Sequence, residues 1–411
     1  MRHRYRIWNI AAGMLAVAVL AGCMAKPPRP SGVQHAPNVA QNLAPGAAAI
    51  SAPAAGAVDD NPLYAPNVKV VRIGLLLPLS GHSADLGKAL QDAATVSLFD
   101  KYARLSPRQQ NVRVELLPKD TGDTPEQAVQ AMQSALSDGA QFIIGPLFSD
   151  ATSAAAPLAR AKNINVLSLS NTRTQASPGT FMFGFSPAEQ AERIVSYAYA
   201  NGKPRIAVLA PNSPLGDTVI ASARDVMQHQ GNRLAVEVRY NATGAGLDQA
   251  LNGLGNGKSF DALLIPEGGP ALDTIIRGLG ARGINTANVK FLGTGLWDDA
   301  DLLRRVNLDA AWFASSPPEL TSEFEARFRD TYHYAPPRIA SLTYDAVALA
   351  VTLATSGRPF DIANLTSAGG FGGPANGIFR LRANGTVQRG LAVMEVHGAQ
   401  KKVISPSPTG F

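Results

Sequence analysis

The sequence predicts an α/β fold built from parallel sheets that carry helices on both faces. From Val68 onward, short apolar runs typical of buried strands alternate with segments whose apolar residues recur at helical spacing. This alternation is typical of strand-helix-strand units, which cover both faces of a parallel sheet with helices. About 340 residues follow the pattern, more than one hydrophobic core usually holds, so we expect two lobes.

The first series of units begins with a nearly continuous apolar run over residues 68–77, which predicts a buried parallel strand. Leu86, Leu90 and Leu98 recur at helical spacing, and Pro125 suits the first turn of a later helix. The predicted elements are strand 68–77, helix 83–102, strand 112–117, helix 124–136, strand 142–144, helix 150–161 and strand 165–168.

A second series starts near Pro187 and repeats the alternation. The chain then ends differently, because segments 377–381 and 390–396 flank Asn384-Gly385, a dipeptide typical of β-hairpin turns. The predicted elements between these points are helix 188–199, strand 205–209, helix 215–230, strand 233–240, helix 247–254, strand 260–265, helix 270–279, strand 289–293 and helices 318–332 and 339–354.

The N-terminal segment has the layout of a secretory signal. Arg2, Arg4 and Arg6 precede an apolar stretch over 7–20 that is too short to span a bilayer as a helix. The only cysteine, Cys23, directly follows Leu20-Ala21-Gly22, an order that resembles the lipobox of bacterial lipoproteins. The resemblance implies a signal peptide over 1–22 and lipidation at Cys23; the alternative is a signal peptide with a chance cysteine near its cleavage site.

Residues 23–67 form one compositional unit that we interpret as a lipid-anchored, disordered tether. Its prolines are separated by Ala, Gly, Asn and Gln, with few bulky apolar side chains to offset the entropy lost on ordering. As a flexible coil, the part after Cys23 would average about 37 Å end to end, and fully extended it would reach roughly 145 Å. Met24 follows the cysteine, so the aspartate that commonly retains lipoproteins in the inner membrane is missing and an outer-membrane location is expected.

Charge and motifs argue against several function classes. The formal charge of +6 falls to +3 when the three signal-peptide arginines are removed, and no run of five basic residues occurs, so nucleic acid is an unexpected partner. The histidines lack metal-ligand spacing and no Gly-x-Ser-x-Gly elbow occurs, so we predict no metal, no cofactor and no catalytic residue. The segment 253–259 mimics a phosphate loop, but Asn252 stands where the first glycine belongs.

Four motifs in order resemble the leucine/isoleucine/valine-binding branch of the type I periplasmic binding fold: residues 73–81, 144–149, 167–172 and 343–346. The resemblance extends from Val68 to about Val403. It implies two doubly wound parallel-sheet lobes joined by a three-strand hinge. Lobe 1 would comprise 68–187 plus 318–376 and lobe 2 would comprise 188–317 plus 377–411, with hinges near Pro187 and Pro317-Pro318.

Within this fold, the wording of residues 181–187, 262–269 and 292–297 is most similar to the penicillin-binding protein activators, outer-membrane lipoproteins that stimulate peptidoglycan synthases. The resemblance implies a bifunctional penicillin-binding protein as partner. The longer activators carry a helical-repeat domain ahead of this fold, and here the Pro/Ala-rich segment takes its place. Loops around 297–299 and 312–313 are the candidates for docking.

Loops at the carboxyl ends of the lobe-1 strands should face a cleft between the lobes. The predicted cleft residues on this side are Ser80, Ser149, Ser170, Asn171 and Thr172. The resemblance implies that Ser149, Ser170 and Thr172 grip a ligand carboxylate, and Ser149 is placed to cap a helix whose free N–H groups attract anions. Capping and turn formation alone would favour the same residue types.

The lobe-2 side departs from the pattern of amino-acid receptors. The resemblance implies aromatic residues near 213–215 and 267–269 and a carboxylate for the ligand ammonium near 294–296, yet this chain has Pro, Leu and Gly there. Glu267, Asp298 and Asp299 are candidate substitutes and Trp297 is a candidate stacking face; the alternative is that these acids are exposed loop residues. An ammonium buried without such a partner would cost several kcal/mol.

Two functions remain open from sequence. The first is a non-catalytic, lipid-anchored activator of peptidoglycan synthases. The second is a solute receptor for an ABC importer that captures branched-chain or other amino acids in the cleft.

Overall fold

The computed structural model describes residues 68–109, 111–241 and 243–411. The signal peptide over 1–22, the lipidation site at Cys23 and the tether over 23–67 lie outside these residues and stay predictions. Two large sheets, each built mainly from parallel strands and covered by helices on both faces, confirm the predicted α/β class.

Lobe 1 is organised around a five-stranded parallel sheet with strand order β2-β1-β3-β4-β5. The predicted helix after Thr124 forms as expected, because the Thr124 hydroxyl accepts the Gln127 N–H and the Gln127 side chain reaches back to the Thr124 N–H. The elements are β1 (Lys69–Leu77), α1 (Ala84–Tyr102), β2 (Val112–Asp120), α2 (Pro125–Ser137), β3 (Phe142–Ile144), α3 (Ser149–Arg160), β4 (Val166–Ser168) and β5 (Thr180–Met182).

Lobe 2 is organised around a seven-stranded sheet with strand order β15-β14-β10-β9-β8-β6-β7. Strands β6 to β10 run parallel to one another, and β14 and β15 add an antiparallel edge next to β10. The elements are α4 (Pro187–Ala200), β6 (Ile206–Asn212), α5 (Pro214–His229), β7 (Val236–Asn241), α6 (Leu247–Gly253), β8 (Ala262–Leu264), α7 (Gly269–Gly280), β9 (Lys290–Gly293), α8 (Ala300–Arg305), β10 (Trp312–Ser315), β14 (Ala392–His397) and β15 (Gln400–Ser405).

Between β10 and β14 the chain returns to lobe 1. Helix α10 is buried along almost its whole length and packs with α1, which explains why its sequence is apolar on every side. The elements of this segment are α9 (Pro318–Tyr332), α10 (Ala340–Thr355), α11 (Ile362–Leu365), β11 (Phe371–Gly373), β12 (Gly377–Leu381) and β13 (Val387–Arg389), and the three strands form a small antiparallel sheet.

The C-terminal hairpin differs from the prediction in its second strand. Asn384-Gly385 does form the turn, with Gly385 at a φ of +83° that suits glycine, but β12 pairs with β13 and not with 390–396. Phe379, Leu381 and Val387 lie in the lobe-1 core, although the sequence division assigned residues from 377 onward to lobe 2. The strands of lobe 2 resume at Ala392, where β14 pairs with β10. The prediction differed because apolar alternation in a sequence does not indicate which sheet a strand joins.

Candidate functional site

A cavity of about 430 Å³ lies between loops of the two lobes, and we call it the cleft cavity. Such a volume is within the range of small-molecule sites. Its lining side chains come from loops and helices of both lobes and from the segment that links β5 to α4. Its lining residues are Asn171, Thr172, Arg173, Thr174, Phe185, Pro187, Gln190, Pro214, Leu215, Thr218, Thr294, Leu296 and Arg338.

The lobe-1 rim of the cleft cavity is the loop that follows β4. Its shape is held by hydroxyl bonds: the Ser168 Oγ accepts the Ser170 N–H at 3.2 Å, and the Ser170 Oγ accepts the Thr172 N–H at 3.2 Å. Ser170 is buried by this arrangement, whereas Asn171 and Thr172 line the cavity. Ser170 therefore supports the rim from behind and Asn171 and Thr172 present polar groups to the space.

The lobe-2 rim combines a helix start with the loop after β9. Ser213 caps α5, its Oγ accepting the Gly216 N–H at 3.3 Å, and this places Pro214 and Leu215 on the cavity wall. In the other loop, Thr294 lines the cavity and Leu296 remains 45% exposed. The lobe-2 wall is accordingly apolar with isolated hydroxyls.

Arg338 joins the two rims. It precedes α10 in lobe 1, yet its Nη1 donates to the Gly295 carbonyl at 2.7 Å and its Nη2 donates to the Ser315 Oγ at 2.8 Å, both in lobe 2. The guanidinium lies 4.4 Å from the centre of the Phe185 ring, a cation–π distance. Burial lowers the pKa of Arg338 and the nearby Asp298 opposes that shift, but an arginine stays protonated.

The backbone at Gly295 is shaped to admit this arginine. A Cβ at position 295 would come within 2.7 Å of the Arg338 Nη2, so only glycine permits the approach without displacing the guanidinium. From the other side, the Gln190 Oε1 accepts the Gly295 N–H at 2.9 Å. The loop is thus held by α4 and by the segment before α10 together.

The predicted lobe-2 site residues do not line the cleft cavity, and the structure corrects the prediction for Trp297. Its side chain is fully buried in the lobe-2 core and its Nε1 donates to the Glu267 carbonyl at 2.8 Å, so it offers no stacking face to a ligand and no docking surface. The second docking candidate, residues 312–313, is the start of strand β10 and not a loop, and Phe313 is also fully buried. The sequence offered Trp297 as a candidate because it lies in the loop after β9, but that loop packs onto the lobe-2 core and buries the ring.

The candidate acids of lobe 2 are engaged within the protein. The Glu267 Oε1 accepts the Tyr240 hydroxyl at 2.7 Å, and burial together with this carboxylate raises the pKa of Tyr240. The Asp298 side chain is 6% exposed, accepts the Ser315 hydroxyl at 2.7 Å and pairs with Lys401. Asp299 caps α8. None of the three lines the cleft cavity, and no other carboxylate among the residues that the structure describes does so.

Ser149 lies in a separate hollow of about 420 Å³, which we call the lobe-1 hollow. Phe148 and not Ser149 is the N-cap of α3, and Ser149 is the first residue of the helix, so the predicted cap is wrong. The register differs by one residue because the extended backbone continues through Phe148. The hollow is lined by Gly122, Asp123, Thr124, Phe148, Ser149, Asp150 and Ala151.

Ser80 is exposed beside the same edge of lobe 1. Asp120 Oδ1 accepts the N–H groups of Leu79, Ser80 and Gly122, at 2.9, 3.1 and 2.8 Å. Burial acts to raise the pKa of Asp120, but these bonds and one from the Ser80 side chain outweigh it and leave the pKa below its ordinary value. Ser80 therefore belongs to a turn that a carboxylate organises.

Of the seven predicted cleft residues, the structure brings Asn171 and Thr172 together at the cleft cavity. The residues that sequence reasoning missed there are Arg338, Gln190 and Phe185. Phe185 stood within a motif that carried the resemblance. Arg338 had one signal, its position directly after Pro336-Pro337 and before a predominantly apolar helix, where a charged residue needs a partner.

Two searches of residues 68–109, 111–241 and 243–411 found nothing that would add another kind of site. In this part of the chain, no three or more His, Cys, Asp or Glu side chains are grouped so as to hold a metal ion. No helix described there is both long enough and apolar enough to cross a bilayer.

Comparison with known proteins places the fold. Residues 70–401 match the family model described as periplasmic binding protein. The chain belongs to the periplasmic binding protein family. A solved structure from Rhodospirillum rubrum, provisionally described as a branched-chain amino acid ABC transporter, is similar to this chain, with a TM-score of 0.73 and 18% identity. The match covers 82% of this chain and all of that one.

A second solved structure has a similar fold. It is a solute binding protein of an ABC transporter from Rhodopseudomonas palustris HaA2 in complex with p-hydroxybenzoic acid, and its TM-score is 0.61 at 16% identity. The match covers 84% of this chain and 97% of that one. At these sequence identities, both structures are evidence for the shared fold only.

Among curated proteins, this periplasmic binding protein is similar to the penicillin-binding protein activator LpoA of Pectobacterium parmentieri, strain WPP163. The identity is 28% over 226 residues, which are 54% of this chain and 31% of that activator. The chain therefore corresponds to about a third of the length of the activator.

Proposed function

We propose that this chain activates a bifunctional penicillin-binding protein as a non-catalytic, lipid-anchored binding module of the outer membrane. The observation that carries the proposal is the 28% identity with LpoA, which extends over 54% of the chain. Docking would stimulate the synthase by binding its active conformation more tightly than its resting one. Cys23 and the Pro/Ala-rich segment after it would supply the anchor and the reach.

The cleft cavity agrees with this role because it is a poor receptor for a free amino acid. An α-ammonium group needs an acceptor, and the acids that sequence reasoning offered, Glu267 and Asp298, are paired with Tyr240, Ser315 and Lys401. Leaving an ammonium unpaired costs several kcal/mol. An activator that works by docking needs no such acceptor.

The test is a glycan-polymerisation assay with a purified bifunctional synthase from the same organism and the full chain in detergent. We expect a severalfold increase in rate that saturates with the concentration of the chain, and no polymer from the chain alone. If the chain neither binds nor stimulates any bifunctional synthase of its host, the proposal is wrong.

The anchor and tether are tested separately in cells. Cys23→Ala should release the protein from the outer membrane, and deletion of 24–67 with Cys23 retained should impair function in cells while purified stimulation persists. A scrambled segment of the same length and composition is the control and should restore function, since reach and not sequence is required. Membrane retention of the Cys23→Ala variant would contradict the anchor.

The second candidate is a solute receptor for an ABC importer, favoured by the cleft cavity itself and by the fold of the Rhodospirillum rubrum protein. It predicts that leucine, isoleucine or valine raises the stability of the chain, by about 2.7 kcal/mol at a hundredfold excess over Kd. Thermal melts of the full chain with these amino acids would distinguish the candidates, because the activator proposal predicts no such increase.

A further inference from the structure

We propose that one edge of lobe 1, which carries unpaired basic side chains, rests on an anionic phospholipid surface. The edge is where the strands of the lobe-1 sheet begin, at the opposite end of the strands from the loop that lines the cleft cavity. We call it the basic edge, and its exposed residues are Lys69, Arg104, Lys162 and Arg358. The inference rests on the lipid anchor proposed at Cys23 and does not depend on synthase activation.

Hydrogen bonds bring the first two of these residues to the same edge. The Lys69 N–H donates to the Asn111 carbonyl at 3.0 Å, so β1 and β2 begin side by side. The Tyr102 hydroxyl donates to the Val112 carbonyl at 2.8 Å, which fixes the end of α1 beside the start of β2. Arg104 follows two residues later and therefore lies near this corner of the sheet.

The other two residues come from loops further along the sheet. The Ile143 N–H donates to the Asn165 carbonyl at 3.1 Å, so β3 and β4 also begin side by side. The Asn165 Nδ2 then donates to the Phe360 carbonyl at 2.6 Å, which joins the loop after α3 to the segment after α10. Lys162 and Arg358 lie within three residues of this bond in the two segments.

Nearby acids do not neutralise the basic edge. None of its four side chains takes part in an ion pair in the part of the chain that the structure describes. Of the acids in these connections, Asp138 pairs with Lys119 and Asp361 caps α11. Burial and the nearby Arg104 lower the pKa of Lys101, which shows that like charges gather here.

The helices that end at this edge do not require these charges. A basic residue in the last turn stabilises a helix through its dipole, but the effect falls off beyond that turn. Arg104, Lys162 and Arg358 follow the ends of α1, α3 and α10 by two or three residues, and Lys69 begins a strand. The basic edge therefore carries more positive charge than helix capping accounts for.

The point at which the N-terminal segment joins the domain indicates the partner. Val68 directly precedes β1, so the segment that begins at Cys23 arrives at the basic edge. Lobe 2 also has exposed basic residues without ion pairs, such as Arg233 and Lys258, but the segment does not enter there. Anionic headgroups attract basic residues close to a membrane, and a basic patch strengthens the hold of a lipid anchor. The anchor would thus bring this edge to the lipid headgroups.

A fluorescent label on the mature, lipidated chain in vesicles tests the inference. Ala161→Cys places the label at the basic edge and Ala281→Cys is the matched control, because both alanines are exposed residues at the ends of helices, of α3 in lobe 1 and of α7 in lobe 2. Cys23 is the only natural cysteine and is acylated in this chain, so only the new thiol reacts. We expect lipids with a nitroxide headgroup to quench the Ala161→Cys label at least threefold more in phosphatidylglycerol vesicles than in phosphatidylcholine vesicles. The Ala281→Cys label should change much less.

Two triple variants then compare the same loss of charge at two places. The first is Lys69→Gln, Arg104→Gln and Lys162→Gln at the basic edge. The second is Arg233→Gln, Lys258→Gln and Lys402→Gln at exposed positions of lobe 2. A basic residue close to an anionic bilayer contributes roughly fivefold to binding. The first variant should therefore reduce the quenching of the Ala161→Cys label to its value in phosphatidylcholine, and the second should retain it.

The outcomes separate this inference from the anchor. A chain that floats with the vesicles but is quenched equally in both lipids would overturn the inference and leave the anchor intact, whereas a chain that does not float would overturn both. Equal losses in the two triple variants would also contradict the inference, because the effect would then follow net charge. If the first variant kept its quenching but lost binding to a purified synthase, the basic edge would serve a protein partner and the inference would be wrong.

Discussion

Two hollows of nearly equal volume are lined by loops that follow the sheet strands, and they differ in the charge of their lining residues. The cleft cavity, about 430 Å³, is lined by two arginines and no acid. The lobe-1 hollow, about 420 Å³, is lined by Asp123 and Asp150 and no base. Both are lined in part by hydroxyl residues that follow parallel strands, such as Thr172 in the cleft cavity and Ser149 in the lobe-1 hollow. The comparison shows that Ser and Thr residues after a strand are common to both loops. The charged residues next to them determine which ligands such a loop can bind.

The largest effect on stability is expected at the cleft cavity. Arg338→Gln removes the charged bonds to Gly295 and Ser315 that join the lobes, and we expect the free energy of unfolding to fall by about 2–4 kcal/mol. Urea denaturation measures it. The exposed Arg358→Gln should change stability by less than about 0.5 kcal/mol. Equal stability of the two variants would mean that Arg338 does not hold the lobes together.

A smaller loss is expected from crowding the same guanidinium. Gly295→Ala places a Cβ 2.7 Å from the Arg338 Nη2, and the flexible side chain should move and lose its bonds, at a cost of about 1–2 kcal/mol. Gly280→Ala is the matched control, since its Cβ meets nothing within 4 Å. A crystal structure of Gly295→Ala with Arg338 in place would contradict this account.

Glu189 sharpens the comparison because it is an acid in the first turn of α4, next to the cleft-cavity residue Gln190, although it does not line the cavity itself. Burial raises the pKa of Glu189 to about 8, with Arg389 opposing and Glu192 adding to the shift. The folded state thus holds a proton that the unfolded state releases near pH 4.5, so stability falls as pH rises from 4.5 and levels off above about 8.

Between pH 6.5 and 8.5 the wild type should lose on the order of 1–2 kcal/mol relative to Glu189→Gln, measured by urea denaturation at both pH values. Asp345, whose pKa burial raises to about 6, loses most of its proton below this window in both proteins. Glu319→Gln, an exposed glutamate that is likewise in the first turn of a helix beginning with proline, is the control and should track the wild type. A parallel pH dependence of wild type and Glu189→Gln would refute the assignment.

The smallest effect on stability is expected at the lobe-1 hollow. Asp123 is solvated, and the ring and backbone of His82 donate to it at 2.9 to 3.1 Å and hold its pKa below the ordinary value. Asp123→Asn should shift Tm by less than about 2 °C. The difference from wild type should be present above pH 4 and vanish at more acidic pH, because only the ionised carboxylate gains. A larger shift in Tm would mean that the lobe-1 hollow contributes as much to stability as the cleft cavity does.

Sequence alone determined the elements whose signals are local. Apolar runs predicted β1 and β3, Thr124 and Pro125 predicted the start of α2, and Asn384-Gly385 predicted a turn. These signals depend on neighbours within a few residues, where backbone preferences and capping act. The family resemblance rested on the same local motifs, and the match over residues 70–401 confirms it.

Tertiary structure decided which of the predicted residues meet. Ser149 and Thr172 looked equivalent in sequence, yet they line different hollows, and Trp297 turned into the core that its loop covers. Arg338 reaches Gly295 across 43 positions of sequence, a contact that no periodicity encodes. The physical reason is that charge and burial belong to the set of groups packed around a side chain, and the fold brings that set together from distant parts of the chain.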